Sequence, residues 1–365
     1  MAPGATRVDA VRGTTPRVNA ATIRRALEVR TGRLRADRAF SAVARSDKRI
    51  LVGPFLSEIG FEVLYWLPML ARYFKKHAVA KERVVAVSRG GAGVWYADLA
   101  GGYVDVFDHL TPVELKDAQR DRVERGGAQK QFGVSELDER LLDLARRDTG
   151  VGADAAVLHP SLMYNAFTYL WADAAGHEAA RRRLLNRPLP RPHARDEQAL
   201  DLPAEYVTVK AYFSDCFPES EENRGFVARL VGRLAEADPV VVLSTGIDLD
   251  DHHDFNTAKD DGRIRTIEHL MTPRNNLELQ TRAIAGAKAL VTTYGGFSYL
   301  GPFLGVPSVA LYSEENFVPA HLDVMRRAVA DLRNQGAGAG FLPVDVRDFP
   351  LIDLVAGLAL EPSAT

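Results

Sequence analysis

Three stretches of this chain put chemically capable residues where the backbone has to turn. The first is Thr293-Tyr294-Gly295-Gly296-Phe297-Ser298. A glycine pair turns without a Cβ penalty, and N–H groups left free at the start of a following helix carry partial positive charge suited to phosphate. A tight turn and nothing more is the plainer reading of the same pair. The second is Leu56-Ser57-Glu58-Ile59-Gly60-Phe61-Glu62. Glu58 is a carboxylate in a loop, and Glu62 lies four residues on, on the same helical face. Gly60 would let the backbone approach a ligand closely. A charge that complements a helix N-terminus is the plainer reading of Glu58. The third is His159, before Pro160-Ser161. Its imidazole could contact sugar or phosphate or act as a base near neutrality, or serve only structure.

Each turn follows an apolar run that reads as a buried strand: Ala289 to Val291, Ile50 to Phe55 and Ala155 to Leu158. Similar runs at Arg83 to Val87, Tyr103 to Phe107, Tyr206 to Val209, Val240 to Leu243, Arg263 to Ile267 and Ser308 to Leu311 alternate with helical patterns. These patterns include Phe167 to Leu185, a segment capped by Ser135, and a last helix at 351–360 expected near a domain junction. The alternation occurs on both sides of Arg187-Pro188-Leu189-Pro190-Arg191-Pro192, where dense proline can continue neither a helix nor a central strand. The expected architecture is therefore α/β, with two Rossmann-like domains facing across a cleft. The boundaries are a basic N-terminal extension at 1–49, an N-terminal domain at 50–186, a linker at 187–203 and a C-terminal domain at 204–365. Ligands of open α/β sheets bind beyond the carboxyl ends of the strands, where the three turns fall.

Composition narrows the chemistry. The 365 residues suffice for two domains, and 46% hydrophobic with 26% charged content describes a packed globular protein. A net charge of −2 gives no overall attraction to nucleic acid. The single cysteine, Cys216, excludes an intrachain disulfide and a multi-cysteine metal site. The tract from Asp248 to Asp254 is acidic, but consecutive residues cannot all face one ion, so it reads as a solvated loop and no metal is expected. Ser88 to Gly93 is glycine-rich yet lacks the ending of a P-loop and the spacing of a dinucleotide fingerprint. It reads as cleft wall, with Arg89 a candidate anion contact. No apolar run approaches the roughly 20 residues that span a bilayer, and the N-terminus lacks a signal-peptide core, so a cytoplasmic location is expected. The arginine-rich residues 1–49 could pack on the domain, stay mobile, or lie on an anionic membrane surface.

A strand, then Gly-Gly-Phe-Ser, a short helix, and Leu304-Gly305-Val306-Pro307 before the next strand resembles the nucleotide-sugar site of GT-B glycosyltransferases. The C-terminal domain of heptosyltransferase-like enzymes is the nearest comparison, and the second half of the chain carries it. The resemblance implies transfer of a sugar from a nucleoside-diphosphate sugar to an acceptor hydroxyl, with no cofactor and no metal. It implies a donor site in the C-terminal domain made by Lys210, Arg224, Thr293, Gly295, Gly296, Phe297 and Ser298. A Lys or Arg opposite the glycine pair would clamp the departing diphosphate, and Glu314 or Glu315 would bind ribose hydroxyls. Thr272 and Arg274 would help to hold the base. On the acceptor side, the resemblance gives Glu58 the part of general base, with Glu62 and His159 as further candidates, and inversion follows only if Glu58 is that base. Sugar-nucleotide 2-epimerases share the architecture and a similar turn, so an epimerase or hydrolase, or a binding protein without catalysis, stands as the alternative.

Overall fold

The computed structural model describes residues 20–126, 130–167, 182–192, 200–247, 253–255, 262–338, 340–347 and 351–360. The N-terminal half holds four strands, β1 (Ile50–Val52), β2 (Val84–Ser88), β3 (Gly102–Asp105) and β4 (Ala156–Leu158). They form one sheet in the order β3-β2-β1-β4, every pair parallel. In the C-terminal half come β5 (Val207–Lys210), β6 (Tyr212–Phe213), β7 (Val240–Val242), β8 (His253–Asp254), β9 (Ile264–Thr266), β10 (Ala289–Thr293), β11 (Ser308–Tyr312) and β12 (Phe341–Asp345). Six of them make a parallel sheet in the order β12-β11-β10-β5-β7-β9, while β6 and β8 pair antiparallel beside it. The central strands are continuous apolar runs because both faces are covered: β1, β2, β5, β7 and β10 are buried along their whole length.

Both sheets reverse direction at one point in their strand order. In the N-terminal sheet the reversal lies between β1 and β4, and in the C-terminal sheet between β5 and β10. Open α/β sheets form a crevice at such a point, beyond the carboxyl ends of the two strands. Glu58 and His159 follow β1 and β4, while Lys210 ends β5 and Gly295 follows β10. The α/β class with two Rossmann-like units, expected from the alternation of patterns, is what the chain adopts.

One expectation changes, and of the alternatives open for residues 1–49, packing on the domain is the one seen for the helix Ala20–Arg45. It packs on the helices Ser161–Phe167 and Leu67–His77 of the N-terminal half, burying Ala36 and Phe40. Phe40 stacks on Tyr73 at 4.2 Å. The helix Leu351–Leu360 does not sit at the junction of the halves. It packs on Glu221–Ala237, with Val355 and Ala356 buried in the C-terminal core. Most of the helix expected at Phe167 to Leu185 lies outside the described residues, and Leu184 and Leu185 are not helical. From there the chain runs as a strap tied to both halves: Leu185 donates to the Pro68 carbonyl at 3.0 Å, and Leu189 to that of Phe303 at 2.8 Å. Among the described residues, no helix is long and apolar enough to cross a membrane.

Candidate functional site

The glycine pair sits where β10 becomes the helix Gly296–Phe303. Gly295 adopts φ 153°, and a Cβ there would lie 2.2 Å from the Tyr212 hydroxyl, so only glycine fits. Ser298 fastens the turn, its hydroxyl donating to the Gly295 carbonyl at 2.6 Å. Thr293 fastens the neighbouring strand: its hydroxyl donates to the Tyr212 carbonyl at 2.8 Å and accepts from the Tyr212 amide at 3.1 Å. The first amides of a helix have no partner within it. Those of Gly296 and Phe297 therefore open the helix with its positive pole, beside β5.

Lys210 ends β5 and is buried. Its Nζ lies 5.2 Å above the ring of Phe297 and 2.6 Å from Oδ1 of Asp254. The other oxygen of Asp254 accepts from the amide and hydroxyl of Thr245, at 2.8 and 3.0 Å. Lysine is thus held in one place beside the helix start, with its charge balanced. Sequence reasoning missed Asp254, placing it in a solvated acidic loop. In the fold it lies on β8, pinned against β6, and only its membership of an acidic tract was legible. Residues 248–252 of that tract lie outside the described residues, and among the described residues no group of side chains could hold a metal ion.

The remaining C-terminal candidates stand further out. Arg224 is exposed, paired with Glu219 and lying 4.9 Å over the Phe213 ring. Glu314 and Glu315 are exposed on the loop after β11, where the Glu314 amide donates to the Cys216 carbonyl at 3.0 Å and Glu315 faces Arg347 at 3.6 Å. Cys216 is buried and donates to the Tyr294 carbonyl at 3.2 Å, bracing the same turn. Arg274 is engaged with Asp108 at 2.8 Å.

On the N-terminal side the three acid-base candidates separate. Glu58 is exposed at the start of a helical run. Glu62 is fully buried in a single π turn, Glu62–Trp66. One of its oxygens accepts from Ser88 at 2.7 Å and from Tyr96 at 2.6 Å, and the other lies 3.7 Å from Arg89. Burial raises its pKa, against the pull of Arg89, Tyr96 and Ser88. His159 is buried too, 3.5 Å from Asp138 and accepting from the Ser161 amide. Burial works against the charge of Asp138, yet His159 and the Ser135 cap outweigh it and hold that carboxyl below its usual range. The cap itself is as expected, with Ser135 accepting from the Asp138 amide at 3.2 Å. Glu62 and His159 are therefore each enclosed with partners inside the half, and Glu58 alone of the three reaches the surface.

The two halves meet through their turns. A Cβ on Gly60 would stand 3.0 Å from the Gly296 Cα, and one on Gly296 would stand 2.6 Å from the Gly60 nitrogen. The glycine-rich Ser88 to Gly93 loop, expected as cleft wall, instead docks on the C-terminal half. The Gly90 carbonyl accepts from the amides of Leu277 and Glu278, at 2.8 and 3.2 Å. That helix start is capped by protein and not open to an anion. Trp95 donates to Thr281 at 2.9 Å. His321, which sequence reasoning did not single out, stands with Phe61 and Tyr65 across the junction. Its Nδ1 lies 2.7 Å from the Tyr65 hydroxyl in a hydrogen bond, and burial, then the charge of Lys130, lowers its pKa to about 3.

No family model matches the chain, and no curated protein does. Solved structures resemble it distantly. An E. coli heptosyltransferase with ADP shares 16% identity at a TM-score of 0.42, over 84% of this chain and 97% of that one. A glycosyl transferase family 9 structure from Veillonella parvula shares 14% at 0.41, over 82% and 86%. The UDP-GlcNAc 2-epimerase of Methanocaldococcus jannaschii shares 10% at 0.34, over 87% and 93%. At these values no residue's role passes from them to this chain.

Proposed function

We propose that this protein is a glycosyltransferase that moves a sugar from a nucleoside-diphosphate sugar to an acceptor hydroxyl, without a metal ion and with inversion. The donor diphosphate lies against the Gly296 and Phe297 amides, and Lys210, held by Asp254, presents its ammonium to a phosphate oxygen. Fixed dipoles and one fixed cation meet the charge that grows on the leaving group. Thr293, Gly295 and Ser298 shape the turn, and Glu314 or Glu315 takes the ribose hydroxyls, with Arg224 at the rim. Glu58 accepts the proton of the acceptor hydroxyl as its oxygen bonds to the anomeric carbon and the bond from that carbon to the phosphate oxygen breaks. Attack opposite the leaving group inverts the centre. Glu62 and His159 have no contact with substrate in this reading and hold the N-terminal half in shape.

The observation that carries the proposal is the contact of Gly60 with Gly296. It brings the loop that bears Glu58 against the start of the helix whose amides this reading gives to the diphosphate, which supports the pairing of the two roles. A thermal-shift series with ADP, UDP, GDP and dTDP tests the donor site. A shift from one of them supports the reading and names the base; no shift from any counts against it. Glu58→Gln is expected to keep that shift and to abolish transfer. Full activity in this variant removes Glu58 as base, and donor consumption without acceptor points to an epimerase or hydrolase.

A further inference from the structure

Residues 30–49 and 67–77 hold ten lysines and arginines against two aspartates, in a chain of net charge −2. The fold gathers this excess. The helices Ala20–Arg45 and Leu67–His77 lie against one another through the Phe40–Tyr73 stack, and Ser41 meets His77 at 3.5 Å. Their outer residues Arg35, Arg38, Arg45, Arg72, Lys75 and Lys76 are exposed. Burial, then the nearby charges of Lys76 and Arg45, lowers the pKa of His77, which places the ends of the two stripes together. Of the two acids, Asp37 is taken up by Tyr73 and Arg183, so only Asp47 faces outward. Leu34 is 42% exposed beside the same stripe.

We propose that this two-helix face docks the protein on an anionic lipid bilayer. Two packed helices present a basic surface with an exposed apolar side chain beside it, which suits a headgroup layer, whereas a nucleic-acid duplex offers nothing apolar at its phosphates. The face belongs to the N-terminal half, the half that carries Glu58. It stands apart from the glycosyl-transfer reading, since it uses none of the residues in that crevice.

Sedimentation with vesicles of phosphatidylcholine, with and without phosphatidylglycerol, tests it. The protein is expected to pellet only with the anionic vesicles and to be released as salt rises. Arg38→Glu, Arg45→Glu, Lys75→Glu and Lys76→Glu together are expected to abolish pelleting, at a loss of at least about fivefold for each positive charge removed. Arg140→Glu with Arg147→Glu, on another exposed helix, is expected to leave pelleting unchanged. Melting temperature is expected to stay near that of the parent in both, because all six side chains are at the surface. The proposal is overturned if the parent protein ignores anionic vesicles, if the two variants lose binding equally, or if duplex DNA displaces the protein from vesicles at equal phosphate.

Discussion

Gly60 and Gly296, 236 positions apart in the chain, touch main chain to main chain, leaving no room for a Cβ on either. Gly296→Ala is expected to destabilise by about 1–3 kcal/mol, as overpacking does, and to abolish the nucleotide-induced thermal shift. Gly60→Ala is expected to do the same more mildly, because its nearest neighbour stands further off. Gly232, exposed in a helix with open space around it, is the control: Gly232→Ala is expected to stabilise by about 0.5–1 kcal/mol. Equal melting temperatures for all three variants would show that the halves do not press together at this point.

Lys210, buried, and Asp254, half-buried, form an ion pair, so removing one charge strands the other. Lys210→Ala is expected to cost about 3 kcal/mol and to remove the response to nucleotide. In the double variant Lys210→Ala, Asp254→Ala most of the stability is expected to return while the nucleotide response stays absent. Recovery of both in the double variant would mean that the lysine matters only to the fold. Urea unfolding and thermal shift on the same samples separate the two.

Much of this was legible in advance because it is local. The apolar runs gave the strands to within a few residues, since a strand covered on both faces must be apolar throughout. The glycine pair and Lys210 were found as ends of such runs. Asp254 was not, because it lies 44 positions from Lys210 and meets it only where β8 pairs with β6. His321 was missed for a related reason: its partner Tyr65 lies in the other half, and no pattern along the chain encodes how the halves dock. Glu62 shared a helical face with Glu58 on paper, but the π turn and the sheet behind it enclose Glu62 and leave Glu58 outside.

His321 makes stability depend on acid. Its pKa in the fold is about 3, against 6.5 in an unfolded chain. A lowered value means the folded state disfavours the proton. The stabilisation is present above 6.5 and is lost as pH falls toward 3. His321→Gln keeps a hydrogen-bonding partner for the Tyr65 hydroxyl and has no proton to take up. Between about pH 7 and pH 4 the urea midpoint of the parent is expected to fall further than that of the variant. Parallel curves would refute the assignment.

Glu62 works in the opposite sense. Its pKa is raised by burial from 4.5, so the folded state favours the protonated acid. That stabilisation is complete below 4.5 and disappears as pH climbs through the raised value. Glu62→Gln copies the protonated form. The stability of this variant relative to the parent is expected to increase with pH above the ordinary carboxyl range, read from melting temperatures across buffers. A difference that does not change with pH would show that Glu62 carries its charge without penalty.

The Gly90 carbonyl fills the start of the Asn276–Ala285 helix much as an anion would, and the strap through Leu189 ties the halves a second time. Swinging the lobes apart would strip two N–H groups of their acceptor and wet the Trp95–Thr281 bond. A wide opening of the halves is therefore resisted at both places. In the proposed transfer reaction, donor and acceptor would then reach the Gly296 turn past the short segments around it and not through the travel of whole halves.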